Sequence, residues 1–235
     1  MKQQVKFILA GTTLLASQAA FANWSSTVTL ASDYSFNGVS YTDEDPALQA
    51  SLDYAADSGW YAGAWTSNVD FGDGGGIDQE LDFYAGYWTQ LNDAWSLDYG
   101  IAYYTYLGTT NADESNYPEA WVKFNYTSDF GVTEFNSWYS WDYFGLGGGH
   151  VIGMVAHTFA IAENHAIRIS ADTSNSLDGD KWIWDVNDKS YQHVRAAYQT
   201  SFKGFNFEVA AEDTTLDYDT GDFRVVASVS RTFSF

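Results

Sequence analysis

From residue 24 onward the chain alternates apolar and polar positions with a period of two. The clearest run, 77–90, sets Ile77, Gln79, Leu81, Phe83, Ala85 and Tyr87 on one face and Asp78, Glu80, Asp82, Tyr84, Gly86 and Trp88 on the other. In 93–107, Trp95, Leu97, Tyr99, Ile101 and Tyr103 oppose Asp98, Gly100, Ala102 and Tyr104. In 118–128, Ala120, Val122, Phe124 and Tyr126 oppose Glu119, Trp121, Lys123 and Asn125. This period predicts half-buried strands. Further strands are predicted near 24–36, 46–57, 59–71, 131–143, 150–161, 164–174, 190–203, 204–214 and 222–235, about twelve altogether. The faces of 59–71 and 150–161 are ambiguous, and no linker, low-complexity tract or heptad interrupts the series.

The connections alternate as well. Asp57-Ser58-Gly59, Leu91-Asn92-Asp93, Ser128 to Gly131, Ala162-Glu163-Asn164 and Lys203-Gly204 are tight turns. Between them lie longer, more acidic or glycine-rich segments: 37–45, 72–76, 108–117, 145–149, 175–189 and 215–221. Short periplasmic turns alternating with long outer loops are the asymmetry of a membrane barrel, and a soluble sandwich has no reason to show it. The expected fold is therefore all-β: a transmembrane up-and-down antiparallel β-barrel of about twelve strands with both termini in the periplasm.

The two ends of the chain agree. Lys2 and Lys6, the apolar run Phe7 to Leu15 and the small residues of Ala20-Phe21-Ala22 make a secretory signal peptide over 1–22, leaving 23–235 as the barrel domain. Its apolar run is too short to span a bilayer as a helix. At the other end, the alternation up to Phe235 resembles the sorting signal read by the barrel-assembly machinery. Arg231 fits badly, since it falls on the lipid face with Phe233 and Val229, close enough to the periplasmic end to reach the headgroups.

Composition sharpens the solvent and the charge. Mean hydropathy is -0.27 and no later stretch is apolar enough for a membrane helix, which a barrel does not need. Aromatics make up 18% of the chain, enough for interfacial girdles. Cysteine is absent, so no disulfide supports the fold. The net charge is -21; removing Lys2 and Lys6 leaves eight bases against 31 acids, a net of -23. Such a surface excludes nucleic acid, whose phosphates need basic partners. It suits cations, as permeating ions or as divalents bridging to lipopolysaccharide.

The first third carries a distinctive run: Ser32 to Thr42, Pro46-Ala47-Leu48-Gln49, Asp53-Tyr54, Ser58 to Trp65 and Ser67-Asn68-Val69-Asp70. Over about 30–108 it resembles the TorF-type porin family of proteobacteria. The family pattern has Arg where this chain has Asn37 and Gln where it has Tyr41. The resemblance implies an outer-membrane barrel with a porin label and brings no substrate with it.

Pointing the polar faces inward puts acids on the first strands, among them Asp33, Asp53, Asp82, Asp98 and Glu134, with Lys123 as the exception. Arg168, His193, Arg195 and Arg224 follow on later strands, with Glu208 and Glu212 between them. An acidic wall is thus expected to face a partly basic one, with Asp33, Asp82 and Asp98 opposite Arg195. If water separates the walls, small hydrophilic solutes pass, with cations or zwitterions favoured. If the walls touch, Arg195 and Arg168 pair with Glu208, Asp98 or Asp82 and plug the lumen, leaving a structural or adhesive barrel that acts through acidic, divalent-binding loops. Twelve strands lie between filled and open barrels, so size does not choose. Bulky inner candidates such as Tyr84, Tyr104, Trp121 and Trp138 are read as space-filling. Asp70 to Asp78 and Asp178-Gly179-Asp180 match no calcium motif. The four histidines, His150, His157, His165 and His193, are scattered, and no nucleophile elbow is present. Neither a cofactor nor an enzyme is expected. The expected partners are small solutes or ions, outer-membrane lipid and lipopolysaccharide, and the assembly machinery.

Overall fold

A computed structural model describes residues 23–72, 76–109, 111–186 and 188–235; the expected signal peptide lies outside the described residues. Twelve described strands close into one antiparallel barrel. They are β1 (Trp24–Ala31), β4 (Ala47–Ala55), β5 (Trp60–Asn68), β6 (Ile77–Gln90), β7 (Trp95–Gly108), β8 (Tyr117–Ser128), β9 (Gly131–Ser140), β10 (His150–Ala162), β11 (His165–Ser176), β12 (Ser190–Phe202), β13 (Phe205–Thr214) and β14 (Arg224–Ser234). Each strand pairs with its sequence neighbours. The seam is β1 against β14, running from Ser25 opposite Ser234 to Ala31 opposite Ser228. A small hairpin, β2 (Ser35–Phe36) with β3 (Val39–Ser40), stands apart within the first long loop.

The alternation sorts cleanly. Leu48, Trp60, Phe83, Ile101, Val155 and Val194 are exposed on the outside, where hydrocarbon is their solvent. Glu80, Glu119, Glu134 and Asp172 are buried inside. The two ambiguous strands are now settled: β5 turns Tyr61 and Ser67 inward, and β10 turns His150, Ile152, Ala156 and Thr158 inward. β10 was ambiguous because Ile152 and Ala156 are apolar residues on the lumen side.

Aromatic pairs ring the short-turn end of the outer face. Trp24 meets Tyr54 at 5.2 Å, Trp60 meets Tyr87 at 5.1 Å, and Trp95 meets Tyr126 at 4.9 Å. Amphipathic rings favour this interfacial level. Arg231 belongs to the same belt: its guanidinium sits 5.0 Å from the Phe205 ring and 5.1 Å from Phe233. Cation–π contact, together with this position, makes a lipid-facing arginine tolerable.

Inside, three glycines make room for rings laid flat along the wall. Gly63 lies opposite Tyr84, Gly86 opposite Tyr61, and Gly100 opposite Trp121. A Cβ at Gly86 would meet the Tyr61 ring at 2.5 Å, one at Gly63 the Tyr84 ring at 2.6 Å, and one at Gly100 the Trp121 ring at 2.4 Å. Gly153, on the lipid side, has open space. Gly86→Val should therefore lower stability by about 1–3 kcal/mol, the usual effect of overpacking, despite its better strand propensity. Gly153→Val should leave it unchanged. Urea midpoints of refolded variants measure both.

Candidate functional site

The predicted lumen residues sit on the inner face, except that Asp33 lies in the loop just beyond β1. Asp33, Asp53, Asp82, Asp98, Glu134, His193 and Arg224 are buried there, and Lys123, Arg168 and Arg195 are half-buried. Their partnerships differ from the expected face-off of two walls. Arg195 does not reach Asp33, Asp82 or Asp98: its Nη2 donates to Glu208 at 2.5 Å and its Nε to Glu212 at 2.9 Å. Arg168 forks onto Glu134, with both bonds at 3.1 Å. His193 Nδ1 lies 2.7 Å from Asp172, and Arg224 lies 3.3 Å from Asp33. The first three of these pairings run around the wall, between adjacent or next-adjacent strands, and Arg224 reaches the loop just beyond the neighbouring β1. Neighbouring strands are only ~4.8 Å apart, so a long side chain meets a partner along the wall before it can cross the lumen.

The opposite arc, β4 to β8, holds its carboxylates with aromatic tips instead. Tyr61 donates its hydroxyl to Asp98 at 2.8 Å, and Trp121 Nε1 donates to the same carboxylate at 2.5 Å. Tyr84 donates to Asp53. These rings are the ones lying over glycines, so for Tyr61 and Tyr84 the gap in one strand sets the reach to an acid on another, and for Trp121 to an acid on the same strand. Lys123 lies 5.3 Å from the Trp121 ring and 5.4 Å from Trp138. Tyr84 and Trp121, read from the sequence as space-filling, are thus wall hydrogen bonders as well.

The long-loop end is covered. The hairpin β2–β3 turns at Asn37 (φ 49) and Gly38 (φ 82), the left-handed pair of a two-residue type I′ turn. Its tip reaches the far strands: Asn37 Nδ2 donates to Asp172 at 3.0 Å, and Tyr191 donates its hydroxyl to the Asn37 carbonyl at 3.0 Å. Its base is tied by Asp33, which accepts from Ser40 at 2.6 Å and from Thr42 at 2.9 Å. Tyr41 meets Tyr143 hydroxyl to hydroxyl at 3.5 Å. Tyr143 belongs to the loop after β9, the strand diametrically opposite β1 in the ring, so the first loop straps the mouth. Tyr106, Tyr117, Tyr143 and Trp182 form a buried aromatic cluster there, with Phe71, Phe144 and Trp184 packed against it. Trp182 and Trp184 thus belong to an inward-folded cap.

Sequence reasoning missed the strap. The Asn37-Gly38 pair between Ser35-Phe36 and Val39-Ser40 was its signal. Asp172, which holds both the strap and His193, was also missed.

The family model described as "Bacterial protein of unknown function (Gcw_chp)" matches residues 16–233. The chain belongs to this family. No curated protein sequence matches it. Solved structures share the family member's fold: a KdgM porin superposes with TM-score 0.59 at 9% identity, covering 89% of this chain and 99% of that one. The NanC porin in a rhombohedral crystal form gives 0.57 at 12% identity, covering 89% and 98%. The KdgM porin in complex with disordered oligogalacturonate gives 0.56 at 9%, covering 90% and 99%. At such identity the likeness is one of fold. This member of the family is an integral outer-membrane β-barrel of porin-like architecture.

Arg224 gives the clearest test of the buried pairs. Arg224→Met leaves Asp33 charged and without its cation, which should cost about 3–5 kcal/mol. Adding Asp33→Asn should recover part of that loss. A double-mutant cycle on urea unfolding measures the coupling.

Proposed function

We propose that the barrel is a narrow outer-membrane channel for passive diffusion of small hydrophilic solutes, with cations and neutral or zwitterionic molecules favoured. The observation that carries this reading is the uneven neutralisation of the wall. Arginine and histidine pair the acids of β9 to β14, whereas Glu80, Asp82 and Glu119 on β6 to β8 have no salt-bridge partner. A lumen whose acids outnumber its bases concentrates cations and repels anions. The absence of cross-lumen ion pairs among the described residues fits a path between the walls. Asp33, Asp53, Asp82, Asp98, Lys123, Glu134, Arg168, His193, Arg195 and Arg224 are the proposed pore-lining set, although Asp33 and Arg224 act at the strap.

The resemblance of 30–108 to TorF-type porins supports a channel. Oligogalacturonate, a polyanion, is the ligand of the KdgM complex. The unpaired carboxylates here argue for solutes of the other sign. Outside, the apolar face suits outer-membrane lipid, the acidic loops suit divalent bridges to lipopolysaccharide, and the last strand suits the assembly machinery.

One observation favours a second reading, a plugged structural barrel: the strap and aromatic cap bury Tyr106 and Tyr117 at the mouth. Planar-bilayer recording of refolded protein across a salt gradient separates the two. The channel reading expects discrete openings with a cation-selective reversal potential. Arg195→Ala should raise the cation preference and Asp98→Asn should lower it. Unchanged selectivity in both folded variants would sink the lumen assignment, and silence from folded wild type would favour the plug. Asn37→Ala frees the strap tip from Asp172 and should lengthen openings in the same recordings.

A further inference from the structure

Directly beneath the aromatic cap, one patch of wall has more acceptors than donors. Glu80 and Asp82 project from β6, and Glu119 projects from β8 across β7. Glu80 is 1% exposed and Glu119 is 0%. Both oxygens of Glu80, Oδ1 of Asp82 and Oε2 of Glu119 are buried without a hydrogen-bond partner. Tyr104 gives its hydroxyl to the other Glu119 oxygen at 2.9 Å. Tyr106, opposite Glu80 in register, closes no hydrogen bond through its own hydroxyl. The nearest cation along β8, Lys123, is four residues further and attracts Glu119 through space without making a salt bridge to it.

Buried carboxylates left this way cost several kcal/mol each unless something compensates. A guest with several N–H donors and a positive charge would supply the missing half of the site. Among the described residues, no group of three or more acidic or histidine side chains converges closely enough to hold a metal ion. The spacing therefore calls for a larger cation whose donors reach separate acceptors.

We infer that Glu80, Asp82 and Glu119, walled by Tyr104 and Tyr106, form a binding site for a primary ammonium group. A primary ammonium carries three donors and one charge, which fits the open oxygens of Glu80 and its neighbours. The site deepens the channel reading, on which it rests, by naming alkylammonium-bearing solutes as the class that the lumen selects beneath the cap.

Isothermal titration of n-butylammonium chloride into the refolded barrel in detergent micelles tests this directly. Saturable binding is expected, weakened at least ~tenfold in Glu80→Gln by loss of a charge-assisted hydrogen bond. Tetramethylammonium has the charge but no N–H, and should bind ~tenfold more weakly. Glu119→Gln serves as the second variant if Glu80→Gln fails to fold. The inference is overturned if folded wild type shows no saturable binding, as when the carboxyls share protons among themselves. Equal binding of tetramethylammonium, or undiminished binding in a folded variant, overturns it too. Because titration needs no conduction, binding by a barrel silent in bilayers removes the channel and keeps the site. Conduction without binding does the reverse.

Discussion

Closure of the sheet is the constraint on which the rest depends. Within hydrocarbon, an unpaired backbone N–H or C=O costs several kcal/mol, so a sheet can cross a membrane only when its first and last strands meet. Here that seam is β1 against β14, paired along its length. Once the backbone is satisfied in a ring, side chains have two destinations. Apolar ones face lipid, and most polar ones are confined to an interior about as wide as twelve strands allow. The acidity of this chain therefore has to be managed on an inner wall and on the outer loops.

The wall manages it by local pairing. On β9 to β14, Arg168, His193 and Arg195 take carboxylates from adjacent or next-adjacent strands and Arg224 takes one from the first loop, so charge is compensated without filling the centre. On β4 to β8, basic residues are scarce and aromatic tips take their place. Gly63, Gly86 and Gly100 let Tyr84, Tyr61 and Trp121 lie along the sheet, which turns bulky residues into lining. The two devices keep the centre free in different ways: one neutralises its acids, and the other hydrogen-bonds Asp53 and Asp98 while leaving their charge in place.

The sequence exposes these layers unevenly. Strand positions and faces followed from the period of two, because lipid and lumen impose opposite chemistry on alternate residues; 77–90 matches β6 end to end. The period fails where the lumen is itself apolar, as at Ile152 and Ala156. Inward residues could be named from parity, but their partners could not. Parity says which way Arg195 points, while its choice of Glu208 and Glu212 depends on register and on side-chain reach across one strand. The strap was harder still. Asn37-Gly38 marks a turn wherever it occurs, yet only the three-dimensional ring brings Asp172 and Tyr191 under it. The cap has the same origin: Tyr41, Tyr143 and Trp182 are far apart in sequence and meet because alternate loops all open at one end.

The strap and the unpaired arc make one physical argument together. Covering a charged wall with aromatic rings lowers the local dielectric, and a field weak in water becomes strong beneath such a cover. The acids under the cap are those that lack basic partners, so the covering raises their cost at the place where nothing in the wall offsets it. A barrel built only to be inert would have its arginines there, or apolar residues of similar volume. This chain places arginines on the other arc and a tyrosine-lined acidic recess beneath the outer mouth, an arrangement that a bound cation would stabilise.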